Sequence, residues 1–494
     1  MFKRTLALAL SVAALAGAYL APRYLEQVQF PALGKAPAGF LSTVKARDLT
    51  LVCPGSAFAT GGASGTSVSS FVRSGIAVVN YSTNLPTGVT LRTIPLDGPA
   101  ASQAQPADTA GQVASLNTVS SLAITVADPS GKAQQSSSLL TAQSFQGPVA
   151  GALSGVVGAN CQNPAPVSWL VGGVTTVGRE ALLILANPSS SDATVNLKLW
   201  GEQGIIDGAG LNGISVSANR TVVLPLSGYA PDQKSLAVQV VSSGPSLATW
   251  IQERTTRGTV SAGADLISPS IAAAKNLNIP GLLKRGTTDA QTLIAGNADY
   301  QDLTPSIQVF VPGSKDANVT VQVIGSDAKT LGTVLQQSIP AGSIASLDIT
   351  GIADGDYSVF VVADQPVMAA VKLSRTNAKA TPNSDFAWLP AVAPMTTQVF
   401  LTAPKSGVSK VSISNGGNAP ATVQLMGSAP GLNQAVTVPA VGGRVLTLTP
   451  GSLFSVSSDQ PVSATMLSDF AGAITALPVI DYSNTGGRMS VTVR

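Results

Sequence analysis

The strongest constraint on the fold of this chain is an internal repeat with a period of roughly a hundred residues. One strand pair begins at Ala193 (ATVNLKLWGEQG), returns at Ala317 (ANVTVQVIGSDAKTLG) and returns again at Ala421 (ATVQLMGSAPG). Behind each comes a strand, a turn and a second strand, from Ile214 (ISVSANRTVVLPLSG), Gln337 (QSIPAGSIASLDITG) and Val436 (VTVPAVGGRVLTLTPG). A third block starts at Lys234, Gly355 and Gly451; within it Asp364-Gln365-Pro366-Val367 recurs as Asp459-Gln460-Pro461-Val462. Two of the units open with a strand running into an asparagine turn, LILANPSSSDA and VSISNGGNAPA. Their ends also resemble one another: DLISPS after Ala264, DFAWLPAV after Ser384 and TALPVID after Ile474.

Within each unit, runs of Val, Ile, Leu and Thr are broken every few residues by Gly, Pro, Asn, Asp or Ser, as in GIAVVNYS, VTVQVIGSD and KVSISNGGN. Strands and turns need this punctuation, and sustained helical periodicity is absent outside the N-terminus. Charged residues make up only 11% of the 494 residues and apolar ones 45%, which excludes a disordered chain. The expected fold class is therefore all-β: tandem immunoglobulin-like β-sandwich modules after an N-terminal signal or anchor helix. Boundaries fall at 1–22 (signal or anchor), 23–44 (spacer), 45–163, 164–270, 271–390 and 391–494. The first module fits the repeat poorly and reads as a divergent cap, with its polar insert Pro99 to Gly111 expected to form a loop. Around Tyr357, the run Asp354-Gly355-Asp356-Tyr357-Ser358-Val359 resembles the tyrosine corner of immunoglobulin-like domains, in which a phenol ties a loop to the start of a late strand.

The N-terminus sets the compartment. Lys3 and Arg4 precede an uncharged stretch from Thr5 to Pro22, with Ala16-Gly17-Ala18 as a small-x-small cleavage site. The stretch is just long enough to span a bilayer, so both a cleaved signal and an uncleaved anchor fit; either places the remainder outside the cytoplasm. Membrane contact is then confined to the N-terminal segment. Beyond the membrane, the only two cysteines, Cys53 and Cys161, are expected to form one disulfide, the alternatives being two buried free thiols or a link between chains.

The chain contains no histidine, which removes Ser-His and Cys-His nucleophiles and every imidazole-based metal site. A net charge of +3 with no basic cluster excludes nucleic acid as a partner. Two S-x-x-K matches, Ser42/Lys45 and Ser326/Lys329, lack the companion elements of Ser-Lys hydrolases. The glycines of Gly208-Ala209-Gly210-Leu211-Asn212-Gly213 match a dinucleotide fingerprint but precede a strand pattern where a helix is required, so they read as turn glycines. Asp348, Asp354 and Asp356, and secondly Asp299 and Asp302, are the densest acidic sets, without the spacing of a calcium loop. Trp169, Trp200, Trp250 and Trp388 lie in or beside strands and are expected in the core rather than on a sugar-binding face. The sequence thus nominates no catalytic residue, no metal ligand and no cofactor site.

Over residues 45 to 270 the arrangement resembles a family of uncharacterised exported proteins of actinobacteria. The likeness rests on an early Cys53-Pro54-Gly55, a later Cys161-x-x-Pro164 near Trp169-Leu170, and the run LLILANPSSSDATVNL. The resemblance implies a cell-envelope location and carries no active site. The expected function is a non-catalytic scaffold or interaction subunit whose partners are envelope proteins or wall glycan. A wall-glycan-binding protein is the alternative, and a carboxylate-based hydrolase comes third. Oligomeric state is open.

Overall fold

The computed structural model describes residues 153–482 with breaks at 329, 378–383, 428–432 and 471. Before that stretch it describes the segments 49–60, 66–68, 74–80, 90–97, 103–106, 112–117, 121–127 and 140–149. The signal or anchor stretch 1–22, most of the spacer, Lys45 and Lys329 lie outside the described residues. Two compact units result. In one, Gly39–Thr43 pairs antiparallel with Arg488–Thr492, so Ser42 stands opposite Met489. The other spans Arg47–Thr485 and contains every feature described below. No helix among the described residues is long and apolar enough to cross a membrane.

The larger unit is built almost wholly of antiparallel strands, and one eight-strand plan occurs in it four times. In the fourth module the strands are Val399–Thr402, Val408–Asn415, Ala421–Gly427, Gln434–Val438, Gly442–Leu448, Leu453–Ser458, Ser463–Phe470 and Ala473–Pro478. One sheet has the order first, sixth, third, fourth; the facing sheet has the order fifth, second, seventh, eighth. The second module repeats this plan from Val167–Val171 to Val260–Ile267, with its fourth strand split into Gly204–Ile206 and Ile214–Val216. The third repeats it from Ala274–Lys284 to Ser384–Pro390, its sixth and seventh strands fused into Gly355–Thr376, which crosses from one sheet to the other. The first module, from Leu49–Cys53 to Gly155–Asn160, has the same order despite its weak sequence match. Its fourth strand, Gln103–Pro106, falls inside the insert expected to be a loop: the polar segment pairs along the edge formed by Thr90–Pro95, where only one neighbour is needed.

Local sequence explains the recurrence. The third strands Ala193–Gly201, Ala317–Gly325 and Ala421–Gly427 alternate buried and more exposed residues, placing Val195 and Leu197, Val319 and Val321, and Val423 and Leu425 in the cores between facing sheets. The asparagine turns are closed by their own side chains. Asn187 Nδ2 donates to the carbonyls of Ser191 and Val216 at 2.9 Å each, and Asn415 Nδ2 donates to Ala419 at 2.8 Å. The repeated tetrad has one role in both places: Asp364 accepts from the Asn318 amide at 2.9 Å, and Asp459 from the Thr422 amide at 2.7 Å. Tyr357 Oη donates to the Ala353 carbonyl at 3.2 Å, the tie expected of a tyrosine corner.

The eighth strands depart from this alternation. Gly155–Asn160, Ser384–Pro390 and Ala473–Pro478 are buried along their whole length, as is Val260–Ile267 beyond its first two residues. They meet one another: Gly155–Asn160 packs on Val260–Ile267 and on Ala473–Pro478, and Ser384–Pro390 packs on the same two strands. The four modules therefore close a circle about a common centre instead of following one another in a row. Two glycines make room there. A Cβ at Gly155 or Gly263 would stand 2.3 or 2.6 Å from an oxygen of the Asp385 carboxyl.

Candidate functional site

Two regions bring polar chemistry together. The first is the centre itself. Asp385 Oδ2 accepts from the amides of Val156 (3.0 Å) and Ile474 (2.9 Å), and its Oδ1 from that of Ala264 (3.3 Å), so one carboxyl of the third module joins all the others. Asp265 of the second module accepts from the Trp388 amide (2.8 Å) and the Thr475 hydroxyl (3.0 Å). Burial pushes the Asp385 carboxyl up to about 8, against the pull of those amides. Burial and the charge of Asp385 hold Asp265 well above the usual carboxylate range. Beside them Lys372 Nζ meets Glu253 Oε1 at 2.5 Å, and Trp388 Nε1 donates to Glu253 Oε2 at 3.1 Å. The carboxyls and Trp388 are closed off from water, Lys372 reaches them from the wall of a neighbouring cleft, and all are bonded to fixed protein partners. Their chemistry is that of a pin, holding four modules in register.

The second region is an insert. Between the first and second strands of a module the chain takes residues 172–178 in the second module and 403–407 in the fourth, but 54–73 in the first and 285–305 in the third. The connection of the third module folds into the one α-helix among the described residues, Thr287–Gly296, followed by a 3₁₀ turn at Ala298–Leu303. Strand rhythm does not announce this helix. It starts where Gly286 takes φ +75° and Asp354 caps the turn, its carboxylate accepting from the Gly286 and Thr287 amides at 3.0 and 3.1 Å and from the Thr287 hydroxyl. Burial works to raise the Asp354 carboxyl, but these bonds and nearby Lys284 bring it below the ordinary value.

The insert makes two hollows. On one side lies a cleft of about 630 Å³ between the second and third modules. Asp302 bridges Arg179 (2.9 Å) and Arg257 (2.5 Å) there, and the Arg257 guanidinium lies 4.4 Å above the Tyr300 ring, so the insert braces the two modules together. On the other side, beneath the helix, is a cavity of about 400 Å³ whose lining includes the cations Lys284 and Arg285, the apolar Ile294, Ile349 and Ile352, and neutral polar groups such as Thr287 and Gln291. Lys284 is buried at the end of the first strand and donates to the Ile352 carbonyl at 2.9 Å and to the Thr287 hydroxyl. Arg285 pairs with Asp356.

The residues singled out by sequence are distributed as follows. Cys53 and Cys161 form the disulfide and tie the end of the first strand of the first module to the residue after its eighth. Asp354, Asp356 and Asp302 are taken up by the helix cap and the arginine pairs, and Asp348 lines the larger cleft. Among the described residues no three His, Cys, Asp or Glu side chains are placed to hold a metal ion. Gly208 to Gly213 turn between two short strands, with Gly210 and Gly213 at positive φ. Ser326 lies in the turn after Ala317–Gly325. Trp250 and Trp388 are 0% and 1% exposed, Trp200 is buried, and half-buried Trp169 stacks on it with ring centroids 5.3 Å apart. Lys284, Arg179, Arg257 and the central carboxyls were not foreseen. The signals open to a reader were the long gap between the first two strands of the third module and an acid set inside an otherwise apolar module end, GADLI and SDFAWLP.

An all-β chain of four two-sheet modules, closed around buried carboxyls and carrying one helical insert, is thus the class of protein defined here. Residues 113–451 match the DUF5719 family, a family of unknown function, and the chain belongs to it. No curated protein matches the chain.

Proposed function

We propose that this is a non-catalytic, extracytoplasmic protein of the cell envelope, acting as a scaffold or interaction subunit through modules of immunoglobulin-like sandwich type. The carrying observation is the centre. Asp385 accepts amides from three other modules, an arrangement that spends buried polar groups on fixing modules relative to one another. Surfaces on different modules are then presented at set distances, which is what a scaffold requires. The cationic start and apolar stretch of residues 3–22, together with the Cys53–Cys161 disulfide, support export. Wall glycan is less well supported as the ligand, because an aromatic platform needs exposed indoles and those of Trp200, Trp250 and Trp388 are packed inside.

Fractionation and cross-linking of intact cells test both halves of the reading. The full chain is expected in the envelope, cross-linked to a defined protein partner, while a version lacking residues 3–22 stays in the cytoplasm. Recovery of the full chain from the cytoplasm, or turnover of a wall glycan by the purified protein, would overturn it.

A further inference from the structure

We propose that the cavity beneath the helical insert of the third module binds a small amphiphile with one anionic head group, the head against Lys284 and the tail against Ile294, Ile349 and Ile352. This goes beyond the scaffold reading and does not depend on it.

Four observations carry the proposal. The cavity, about 400 Å³, has the volume of a small-molecule site, and its lining combines two cations, Lys284 and Arg285, with apolar side chains and neutral hydroxyl and amide groups. It depends on the long connection of the third module: the second and fourth modules join the same two strands by short turns, and the first, whose connection is also long, places the short strands Phe58–Thr60 and Thr66–Val68 there. Its cation is only partly satisfied. Two donors of the Lys284 ammonium go to Ile352 and Thr287, and the third meets no acceptor among the described residues. The neighbouring carboxylates are engaged elsewhere, Asp354 with the helix amides and Asp356 with Arg285. Burial depresses the Lys284 ammonium below its ordinary value and the nearby Asp354 charge opposes that shift only in part, so an entering anion would add to an incomplete counter-charge. The cover is suited to admitting a guest: no residue of the helix Thr287–Gly296 is fully buried.

Calorimetric titration of the full chain with hexanoate, hexyl phosphate, hexanol and hexylammonium tests this. Saturable one-site binding of hexanoate or hexyl phosphate is expected, with hexanol and hexylammonium weaker by roughly tenfold or more, and the tighter of the two anions identifies the head group. Lys284→Met should weaken the anion by about tenfold and narrow its lead over hexanol. Ala290→Trp, on the half-exposed helix and pointing bulk at the cavity, should abolish binding while leaving the melting transition intact. Equal binding of the anionic and cationic probes, undiminished hexanoate binding by Ala290→Trp, or no saturable binding of either anion would overturn the proposal.

Discussion

The four central strands and the insert of the third module treat charge in opposite ways. At the centre, Asp265, Asp385 and Glu253 are fully buried and each ends on an amide, a hydroxyl, an indole or an ammonium belonging to another strand. In the insert, Arg285 and Asp356 meet with their side chains 39% and 29% exposed, and the helix between the two hollows buries nothing completely. A buried carboxyl can be kept only where the surrounding donors are fixed, so its presence marks a place that does not move. A half-exposed pair imposes no such demand, and that is where a fold can open a hollow without losing its frame.

The largest effect is expected at Asp385. Asp385→Ala removes the acceptor for three buried amides, each costing about 1–3 kcal/mol when left unpaired, so the chain should lose roughly 5 kcal/mol or cease to unfold cooperatively in urea. A loss under about 1 kcal/mol would mean that the centre is not what holds the modules. Next is the disulfide, which closes a 108-residue separation and should contribute just under about 5 kcal/mol in the loop-entropy account. Cys53→Ser is expected to weaken the first module before the others, and reductant should lower the melting temperature of the wild type alone. Titration of unreduced, denatured protein should find no reactive thiol.

Acidity sharpens the same contrast. The folded Asp385 carboxyl, near 8, stands above its ordinary value of 3.8, so between those values the folded chain holds a proton that the unfolded chain has released. Its contribution is complete below about pH 4 and is lost as the pH rises through 8. The urea midpoint should therefore be higher near pH 5.5 than near pH 8.5, and Asp385→Asn should flatten that slope whatever it does to the midpoint. A wild-type midpoint that climbed over this range would contradict a buried, proton-holding centre. The smallest effect is expected in the insert: Arg285→Ala removes a half-exposed pair and should cost under about 1 kcal/mol, measured by the same denaturation. A loss as large as that of Asp385→Ala would erase the distinction between the two regions.

Much of the frame was legible in the residues. A period of two is a property of one strand and the two faces it presents, so Ala193–Gly201, Ala317–Gly325 and Ala421–Gly427 declared their inward side chains without reference to any partner. The asparagine turns and the Asp364 and Asp459 contacts are equally local in kind: a short polar side chain bonding to nearby backbone repeats wherever its turn repeats. With two cysteines in the chain, one intramolecular pairing was available, and it formed.

Legible in the residues alone, then, are the all-β class, most of the strands and the side of each that seeks a core, though not the edge strand Gln103–Pro106 or the helix Thr287–Gly296. Tertiary structure alone decided that the module ends converge. A continuous apolar run such as DFAWLP states that both faces are covered, but not by what. The cover comes from chain as distant as the 229 residues separating Val156 from Asp385, and the carboxyl is placed there only because three amides from three other modules arrive around it. The insert shows the same limit from the other side. Its helix owes its start to Asp354, far along the chain, and its two hollows to walls that earlier and later segments supply, so a cavity, being the space between segments, is written in no one of them.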